Sequence, residues 1–491
     1  MSRISIDDLE KYLWGSAELL RTNIDAGAYK QYIFPLLFLK RMSDIYDEET
    51  KKAITEFGEV ALEWDETHIF DIPQGAHWED VRNKSQNIGK ALVMAFRKIE
   101  KANPDKLQGI FGDAAWTNKD RLPDRLLKDL IEHFSSQTLS LENCPEDELG
   151  QGYEYLVKKF ADDSGHTAQE FYTNRTVVRL MTEILKPRSE ESIYDPTCGS
   201  AGMLISCIQY LKNHNQEWRN VVAYGQEINN LTSAIGRMNL FLHGVNDFQI
   251  SNGDTLKNPS FIEHGKLKTF DIVLANPPYS ISQWDRVAFE TDKYGRNFLG
   301  TPSQGMADFA FLQHILKSMD PVNGRCAVLL PRGILSRYSE IEMRKKLVEL
   351  DLVDCIIGVG KGLFYNSPME ACVLIGRSVK PPERRGKIQI INAGEMIYRQ
   401  GTQSYIAEDD IEKIAQTYRE YRDVEGLCKI IDKETILKQE GSLSVSLYVK
   451  NSLSEVLIES FNSSTEECVK RWKAYSDAFH EKYEELKGLM K

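Results

Sequence analysis

The sequence lacks several features that would place it at once in a common class. Its longest apolar runs, such as Tyr32–Leu39, fall well short of the roughly 20 residues that a membrane-spanning helix needs. The N-terminus shows no charged-then-apolar secretion signal, and none of the eight cysteines forms a C-x-x-C pair. These absences argue against a membrane protein, a secreted disulfide framework and a zinc site, and they favour a reducing cytoplasm.

A surplus of basic residues is also missing. The 491 residues include 61 Lys and Arg against 73 Asp and Glu, which gives a formal net charge of −12. Because phosphate contacts need concentrated positive charge, this balance argues against a chain that grips nucleic acid alone. No G-x-x-x-x-G-K-[ST] loop occurs, so ATP is not the obvious ligand.

The apolar pattern divides the chain into three predicted domains. Residues 1–160 carry apolar side chains at helical spacing, beginning after a possible helix cap at Ser5, and predict a helical N-terminal domain. Residues 161–395 alternate β-branched runs with helical stretches and predict the catalytic domain. Residues 396–491 predict a C-terminal helical tail.

The alternating pattern predicts a doubly wound, largely parallel α/β sheet with helices on both faces. Ligands of such sheets bind beyond the carboxyl ends of the strands. The strands are predicted at 192–195, 221–225, 270–275, 325–330, 352–359 and 371–376, and the helices at 202–212, 229–243, 308–320 and 340–350.

The tail ends in a predicted long amphipathic helix. Apolar residues recur every three or four positions from Val469 to Met490. This stripe would either pack on its own domain or dock on a partner subunit, and the sequence favours neither.

The first predicted strand ends in the glycine turn Asp195–Gly202, with the sequence Asp-Pro-Thr-Cys-Gly-Ser-Ala-Gly. Such a turn lets a ligand approach the backbone and a helix N-terminus. It is not the G-x-G-x-x-G of dinucleotide folds, and taken alone it could be a plain tight turn.

Carboxylates follow the predicted strand 221–225 and the run Phe248–Ser251, which would be the next strand along the chain. Glu227 is placed to accept both hydroxyls of a ribose, and Asp254 to accept a hydrogen bond from an adenine amino group. Each could equally be a solvated loop charge or a helix cap. Together with the glycine turn they predict an adenosine pocket without a phosphate binder.

The most specific motif is Asn276-Pro277-Pro278-Tyr279, directly after an apolar strand. The Asn276 side-chain carbonyl and the Pro277 carbonyl could accept both hydrogens of a planar NH2 group, and Tyr279 could stack on it. The pocket and this loop predict methyl transfer from S-adenosylmethionine to an amine, without a metal or a covalent enzyme intermediate. No Pro-Cys pair occurs, which argues against a cytosine-C5 enzyme.

These motifs, in this order, make the sequence similar to the methylation subunits of type I restriction–modification systems, a family of N6-adenine DNA methyltransferases. The similarity runs over nearly the whole chain. It includes the run Tyr32–Arg41, the segment Glu170–Arg175, and two later blocks, Ala307–His314 and Gly362–Asn366. The family implies that the target adenine is flipped out of the duplex.

The resemblance assigns roles to individual residues. Asn276, Pro277, Pro278 and Tyr279 would be catalytic, and Tyr279 and Phe364 would stack on the target base, although Phe364 could equally be a core aromatic. The residues implied for S-adenosylmethionine are Glu170, Phe171, Tyr172, Thr173, Asn174, Arg175, Asp195, Pro196, Thr197, Gly199, Ser200, Ala201, Gly202, Glu227, Asp254 and Thr255.

Two positions depart from the family pattern. Asn174 replaces the usual Pro, which we expect to loosen its segment slightly. Ala201 replaces the commoner Gly, and because its side chain is small we expect cofactor binding to survive.

The resemblance also implies partners: double-stranded DNA, a specificity subunit that reads the bases, a second copy of this chain and a restriction subunit. Arg175, Arg179, Arg332 and Arg337 are candidate phosphate contacts. Three rival hypotheses are a protein glutamine methyltransferase, a non-catalytic assembly subunit and a self-contained methyltransferase. The large helical N-terminal domain argues against the glutamine methyltransferase, and the intact motifs argue against a non-catalytic subunit. The short C-terminal region argues against a self-contained enzyme, because it leaves little room for a base-reading domain.

Overall fold

The computed structural model describes residues 3–64, 67–163, 173–363, 370–400, 403–450 and 472–473. Its helices are α1 (Ile6–Leu20), α2 (Lys30–Phe57), α3 (Trp78–Arg82), α4 (Ile88–Ala102), α5 (Pro104–Leu107), α6 (Asp124–Ser135), α7 (Glu146–Asp163), α8 (Arg175–Leu185), α9 (Gly202–Asn213), α10 (Asn230–Leu242), α11 (Arg286–Glu290), α12 (Asp308–Lys317), α13 (Ile341–Glu349), α14 (Glu408–Glu420), α15 (Lys433–Lys438) and α16 (Val445–Tyr448). Its strands are β1 (Ile193–Asp195), β2 (Ala223–Glu227), β3 (Phe248–Asn252), β4 (Ile262–Glu263), β5 (Lys266–Leu267), β6 (Ile272–Ala275), β7 (Arg325–Pro331), β8 (Val353–Val359), β9 (Ala371–Arg377), β10 (Lys387–Ala393), β11 (Tyr398–Gln400), β12 (Gln403–Tyr405) and β13 (Cys428–Asp432).

The N-terminal helices form where the sequence predicts them. The Ser5 side chain accepts a hydrogen bond from the Asp8 backbone N–H at 3.2 Å, which caps α1 as expected. The apolar faces of α1, α2, α4, α6 and α7 are buried in one core. That core includes Ile235 and Phe241 of α10, so the helical region and the sheet region share buried apolar contacts.

Nine strands form one mixed sheet in the order β3-β2-β1-β6-β7-β9-β8-β10-β13. Neighbouring strands from β3 to β7 in this order pair in parallel, and so do β8 and β10. Two strands are antiparallel to their neighbours: β9 lies between β7 and β8, and β13 lies at the edge beside β10. The predicted doubly wound, largely parallel α/β fold is confirmed, and its predicted elements appear within three residues of their expected limits.

The sheet brings the predicted site to one edge. Because β2, β1 and β6 are adjacent and parallel, their carboxyl ends lie side by side. Asp195 ends β1, Glu227 ends β2, and Asn276 follows β6. This edge is where ligands of doubly wound sheets bind.

The sheet extends past residue 395, the predicted limit of the catalytic domain, because β13 (Cys428–Asp432) forms its edge. The three domain limits themselves stay a prediction. Of the predicted amphipathic stretch from Val469 to Met490, only Trp472 and Lys473 lie within the described residues. In the segments that the structure describes, no helix combines the length and apolar content required to cross a bilayer.

Candidate active site

The glycine turn joins β1 to α9 by a strained backbone path. Gly199 has φ +53° and Ala201 has φ +64°, so a non-glycine residue occupies the left-handed region at the start of α9. The turn is also closely covered, because a Cβ added at Gly236 of α10 would lie 2.8 Å from the Gly199 carbonyl oxygen. Small residues are therefore a steric requirement here.

Asp195 is a buried carboxylate at the base of this turn. It is 2% exposed, and its Oδ1 accepts hydrogen bonds from the backbone N–H and hydroxyl of Thr197. Burial, and to a lesser extent the nearby Glu227, raises the pKa of Asp195 to about 7. A buried acid of this kind would gain from a cation placed beside it.

Glu227 lies against the same turn. Its Oε2 accepts a hydrogen bond from the Gly199 N–H at 3.1 Å, and its Oε1 accepts one from the Asn229 N–H at 2.8 Å. The next residue, Ile228, is 66% exposed at the strand end, an apolar surface that no sequence motif marks. In the sequence, the one indication of a role for Ile228 is that it directly follows Glu227, the predicted ribose acid.

The loop after β3 is tied to the glycine turn by Thr255. The Thr255 hydroxyl donates to the Pro196 carbonyl oxygen at 2.6 Å, and both groups are buried. Asp254 Oδ1 accepts hydrogen bonds from the backbone N–H groups of Leu256 and Lys257. Asp254 therefore shapes its own loop, and its predicted role toward adenine stays a prediction.

A small cavity of about 30 Å³ lies at this edge of the sheet. It brings together predicted residues from three segments that are distant in sequence. Its lining residues are Thr173, Arg175, Asp195, Thr197, Cys198, Gly199, Ser200, Gly202, Met203 and Asn276. Glu227, Asp254 and Thr255 do not line it, and Glu170, Phe171, Tyr172 and Phe364 lie outside the described residues.

The Asn276–Tyr279 loop is held by side-chain hydrogen bonds. The Asn276 Nδ2 donates to the Thr173 hydroxyl at 3.0 Å, and the Tyr279 hydroxyl donates to Asn276 Oδ1 at 2.7 Å. Burial raises the pKa of Tyr279 well above its usual value, so the phenol remains a donor. These two bonds set the plane of the Asn276 amide.

An acid on α12 supports this loop from the other side. Asp308, 1% exposed, accepts a hydrogen bond from the Ser280 N–H at 2.8 Å and pairs with Arg337 at 2.5 Å. Ser280 has φ +50°, so this contact holds a strained residue directly after Tyr279. The sequence places Asp308 in the block Ala307–His314 but offers no local sign of its partners.

Asn174, expected to loosen its segment, makes side-chain hydrogen bonds in the described part of that segment, while Glu170–Tyr172 lie outside it, so the expectation stays a prediction. The Asn174 side chain caps α8 by accepting from the Thr176 N–H at 3.0 Å, and its Nδ2 donates to the Ser404 carbonyl oxygen at 2.8 Å. Proline could make neither side-chain bond. Asn174 therefore fastens the start of α8 to β12.

The four candidate phosphate contacts are all paired with carboxylates. Part of each guanidinium's charge is thereby neutralised within the chain, which leaves less positive charge for a phosphate. The pairs are Arg175 with Glu154, Arg179 with Glu408, Arg332 with Glu370, and Arg337 with Asp308.

Two family models match the chain. The model described as N-6 DNA Methylase matches residues 145–455, and that of the HsdM N-terminal domain matches residues 9–134. The first therefore covers more than half of the chain.

Curated relatives agree with these models. The type I restriction enzyme MjaVIII methylase subunit of Methanocaldococcus jannaschii is 32% identical over 473 residues, which cover 91% of this chain and 79% of the relative. The type I restriction enzyme HindI methylase subunit of Haemophilus influenzae is 31% identical, over 76% of this chain and 85% of the relative.

The fold is likewise similar to solved structures. The crystal structure of a type I restriction-modification system methyltransferase subunit from Streptococcus thermophilus matches with a TM-score of 0.79 and 27% identity, over 91% of this chain and all of that one. The predicted family is thus confirmed: the chain belongs to the N-6 DNA methylase family and, within it, to the methylase subunits of type I restriction enzymes.

Proposed function

We propose that this chain is the methylation subunit of a type I restriction–modification complex and transfers a methyl group from S-adenosylmethionine to N6 of a flipped adenine in DNA. The observation that carries this proposal is the cavity at the carboxyl ends of the strands, which is lined by Asn276 together with Asp195 and Thr173. One wall suits a cationic cofactor and another carries amide hydrogen-bonding groups for an amine. The family membership of the chain supports the same reaction.

The residues of the cofactor side fit S-adenosylmethionine. Among the described residues, the hydrogen bonds to the Asp195 carboxylate come from Thr197, and burial raises its pKa to about 7, so a bound cation would favour its charged form. When bound, S-adenosylmethionine supplies a methyl group on a positively charged sulfur. Because the cavity is far smaller than a nucleoside, we infer that the adenosine part lies along Glu227, Ile228 and Asp254.

On the target side, Asn276 and Pro277 would accept the two hydrogens of the adenine amine. Their oxygens then draw the amine out of conjugation and aim its lone pair at the methyl group. The Tyr279 ring would stack on the base, and its hydroxyl bond to Asn276 Oδ1 orients the acceptor before the base arrives. The base must leave the duplex, since its amine is otherwise out of reach.

We infer that base reading and most of the DNA affinity come from other subunits. The net charge of −12 and the paired arginines support this division. The expected partners are a specificity subunit, a second copy of this chain and a restriction subunit. We place the complex in the cytoplasm, in keeping with cysteines that show no pairing pattern.

The test is a methyl-transfer assay on the full chain, alone and with its specificity subunit, using labelled S-adenosylmethionine and duplex DNA. We expect N6-methyladenine only in the complex. Asn276→Ala should lower turnover about 1000-fold while leaving cofactor affinity unchanged, because it removes an acceptor needed only for the target. Asn323→Ala, an exposed turn residue at the opposite edge of the sheet, is the matched control.

Two results would contradict the proposal. Methylation of a polypeptide but not of DNA would favour the glutamine methyltransferase, and a complex that binds no S-adenosylmethionine would favour a non-catalytic subunit. Full activity of Asn276→Ala would refute the role assigned to Asn276.

A further inference from the structure

Arg296 is a buried cation in the segment 281–307, between the Asn276–Tyr279 loop and α12. It is 2% exposed, and its guanidinium pairs with Asp292 at 2.6 Å, where both side chains are almost fully buried. Nothing in its local sequence marks it as functional. A buried guanidinium persists only where its donors are satisfied, so its remaining partners show what it holds in place.

Those partners are backbone atoms of the loop after β3. Arg296 Nη1 donates to the Thr255 carbonyl oxygen at 2.9 Å, and Nη2 donates to the Leu256 carbonyl oxygen at 2.7 Å. One planar group thus binds two successive carbonyls while its charge is balanced by Asp292. This fork geometry is available to arginine and not to lysine.

The loop so held reaches the cofactor side in two ways. The Thr255 hydroxyl donates to the Pro196 carbonyl oxygen, next to Asp195. Asp254 accepts from the Leu256 N–H, so a shift of Leu256 would also move the Asp254 carboxylate. Leu256 is packed in one buried cluster with Trp284 and Phe289 of the same 281–307 segment.

A second contact joins Arg296 to β1. Its Nη1 lies 3.4 Å from His314 Nδ1, and His314 Nε2 lies 3.1 Å from the Tyr194 hydroxyl. Burial and the guanidinium lower the pKa of His314 well below its usual value, so the ring is neutral. Tyr194 directly precedes Asp195, so Arg296 contacts the loop after β3 directly and reaches the end of β1 through His314.

We propose that Arg296 is a positioning residue for S-adenosylmethionine, which sets the places of Asp254 and Thr255 through its bonds to the loop backbone. The inference rests on the proposed function. It makes the segment after the Asn276–Tyr279 loop part of the framework of the cofactor site. It predicts that a conservative change at Arg296 acts on cofactor affinity more than on turnover.

The test compares Arg296→Lys with Arg325→Lys in the full chain assembled with its specificity subunit. Arg325 is a matched control because it also pairs with one carboxylate, Glu191, and binds two backbone carbonyls. It lies at the amino end of β7, at the other end of the strands from the site. We expect Arg296→Lys to raise the Kd and KM for S-adenosylmethionine about tenfold, with kcat at saturating cofactor within about twofold of wild type. Both variants should lower the Tm by similar amounts. Arg325→Lys should leave the Kd for S-adenosylmethionine unchanged.

The outcomes separate the two proposals. If wild type binds no S-adenosylmethionine in titration calorimetry, the proposed function fails and this inference with it. If wild type binds it and Arg296→Lys binds it equally well, or if both variants weaken binding equally, only the positioning role is refuted. Should Arg296→Lys not fold, Asp292→Asn decides: it keeps an acceptor for Arg296, and we expect about a threefold rise in the Kd for S-adenosylmethionine. An unchanged Kd in Asp292→Asn would refute the positioning role.

Discussion

The glycine turn after β1 and the Asn276–Tyr279 loop after β6 lie side by side, yet they are held in different ways. The turn combines positive φ at Gly199 and Ala201 with hydrogen bonds to Glu227 and Thr255, which belong to the predicted cofactor side. The loop depends on side chains far away in sequence, Thr173 before it and Asp308 after it. We therefore expect substitutions in the turn to change cofactor binding, and substitutions around the loop to change turnover.

Among the residues that hold the two loops in place, the largest effect is expected at Asp308. Asp308→Ala removes the acceptor for the Ser280 N–H and leaves Arg337 with Glu340 as its remaining carboxylate partner. Losing one member of a buried ion pair should cost about 3 kcal/mol of unfolding free energy. Turnover should fall with cofactor affinity unchanged, as measured by chemical unfolding, methyl transfer and calorimetry.

Asp320→Ala is the control for Asp308→Ala. Asp320 also accepts from two backbone N–H groups, those of Val322 and Asn323, but at the opposite edge of the sheet. Asp320→Ala should lower the free energy of unfolding by about 1 kcal/mol and leave turnover unchanged. If Asp308→Ala weakened cofactor binding as much as turnover, the glycine turn and the Asn276–Tyr279 loop would not have separate effects on binding and turnover.

Tyr279 sharpens the comparison within the loop itself. Tyr279→Ala removes the stacking surface, worth about 2 kcal/mol or roughly 30-fold in turnover. Tyr279→Phe removes only the hydroxyl bond to Asn276 and should lower turnover no more than about fivefold. Equal loss in both variants would show that the hydroxyl, and not the ring, carries the effect.

The pH dependence of cofactor binding tests the turn. The pKa of Asp195 is raised to about 7, and a bound cation would favour its charged form, so binding should release a proton below pH 7. Affinity should fall about tenfold for each pH unit below 7, measured by calorimetry in buffers of different ionisation enthalpy. Asp195→Asn should remove this dependence.

The raised pKa of Asp195 also makes the stability of the folded chain depend on pH. Its pKa in the folded chain lies above its usual value of 3.8, so the folded state binds more protons than the unfolded state between these values. The contribution of Asp195 to stability is therefore greatest below pH 4 and is lost as pH rises to 7. The difference in Tm between wild type and Asp195→Asn should change in this window, and a constant difference would contradict the raised pKa.

The smallest effect is expected at Ala201. Because Ala201 has φ +64°, Ala201→Gly should relieve backbone strain and stabilise the protein by about 0.5–1 kcal/mol. Ala91→Gly inside α4 is the control, and it should destabilise by about 1 kcal/mol. Destabilisation by both variants in chemical unfolding would show that Ala201 is not strained.

The parts of the site that could be predicted from sequence are those that depend on neighbouring residues. The strand ends at Asp195 and Glu227 follow from short apolar runs closed by turn residues, and this pattern is local. The antiparallel placement of β9 between β7 and β8 could not be predicted, since strand order depends on contacts between distant segments.

By itself, the sequence determined the α/β class, the helical N-terminal region, the family and the motifs at the strand ends. Only the tertiary structure decided which side chains hold those motifs in place. Asn174, expected to loosen its segment, caps α8, while Asp308 and Arg296 act on loops 28 and 41 residues away. The physical reason is that periodicity and turns report local backbone preferences, whereas a buried hydrogen bond depends on which distant segments the fold brings together.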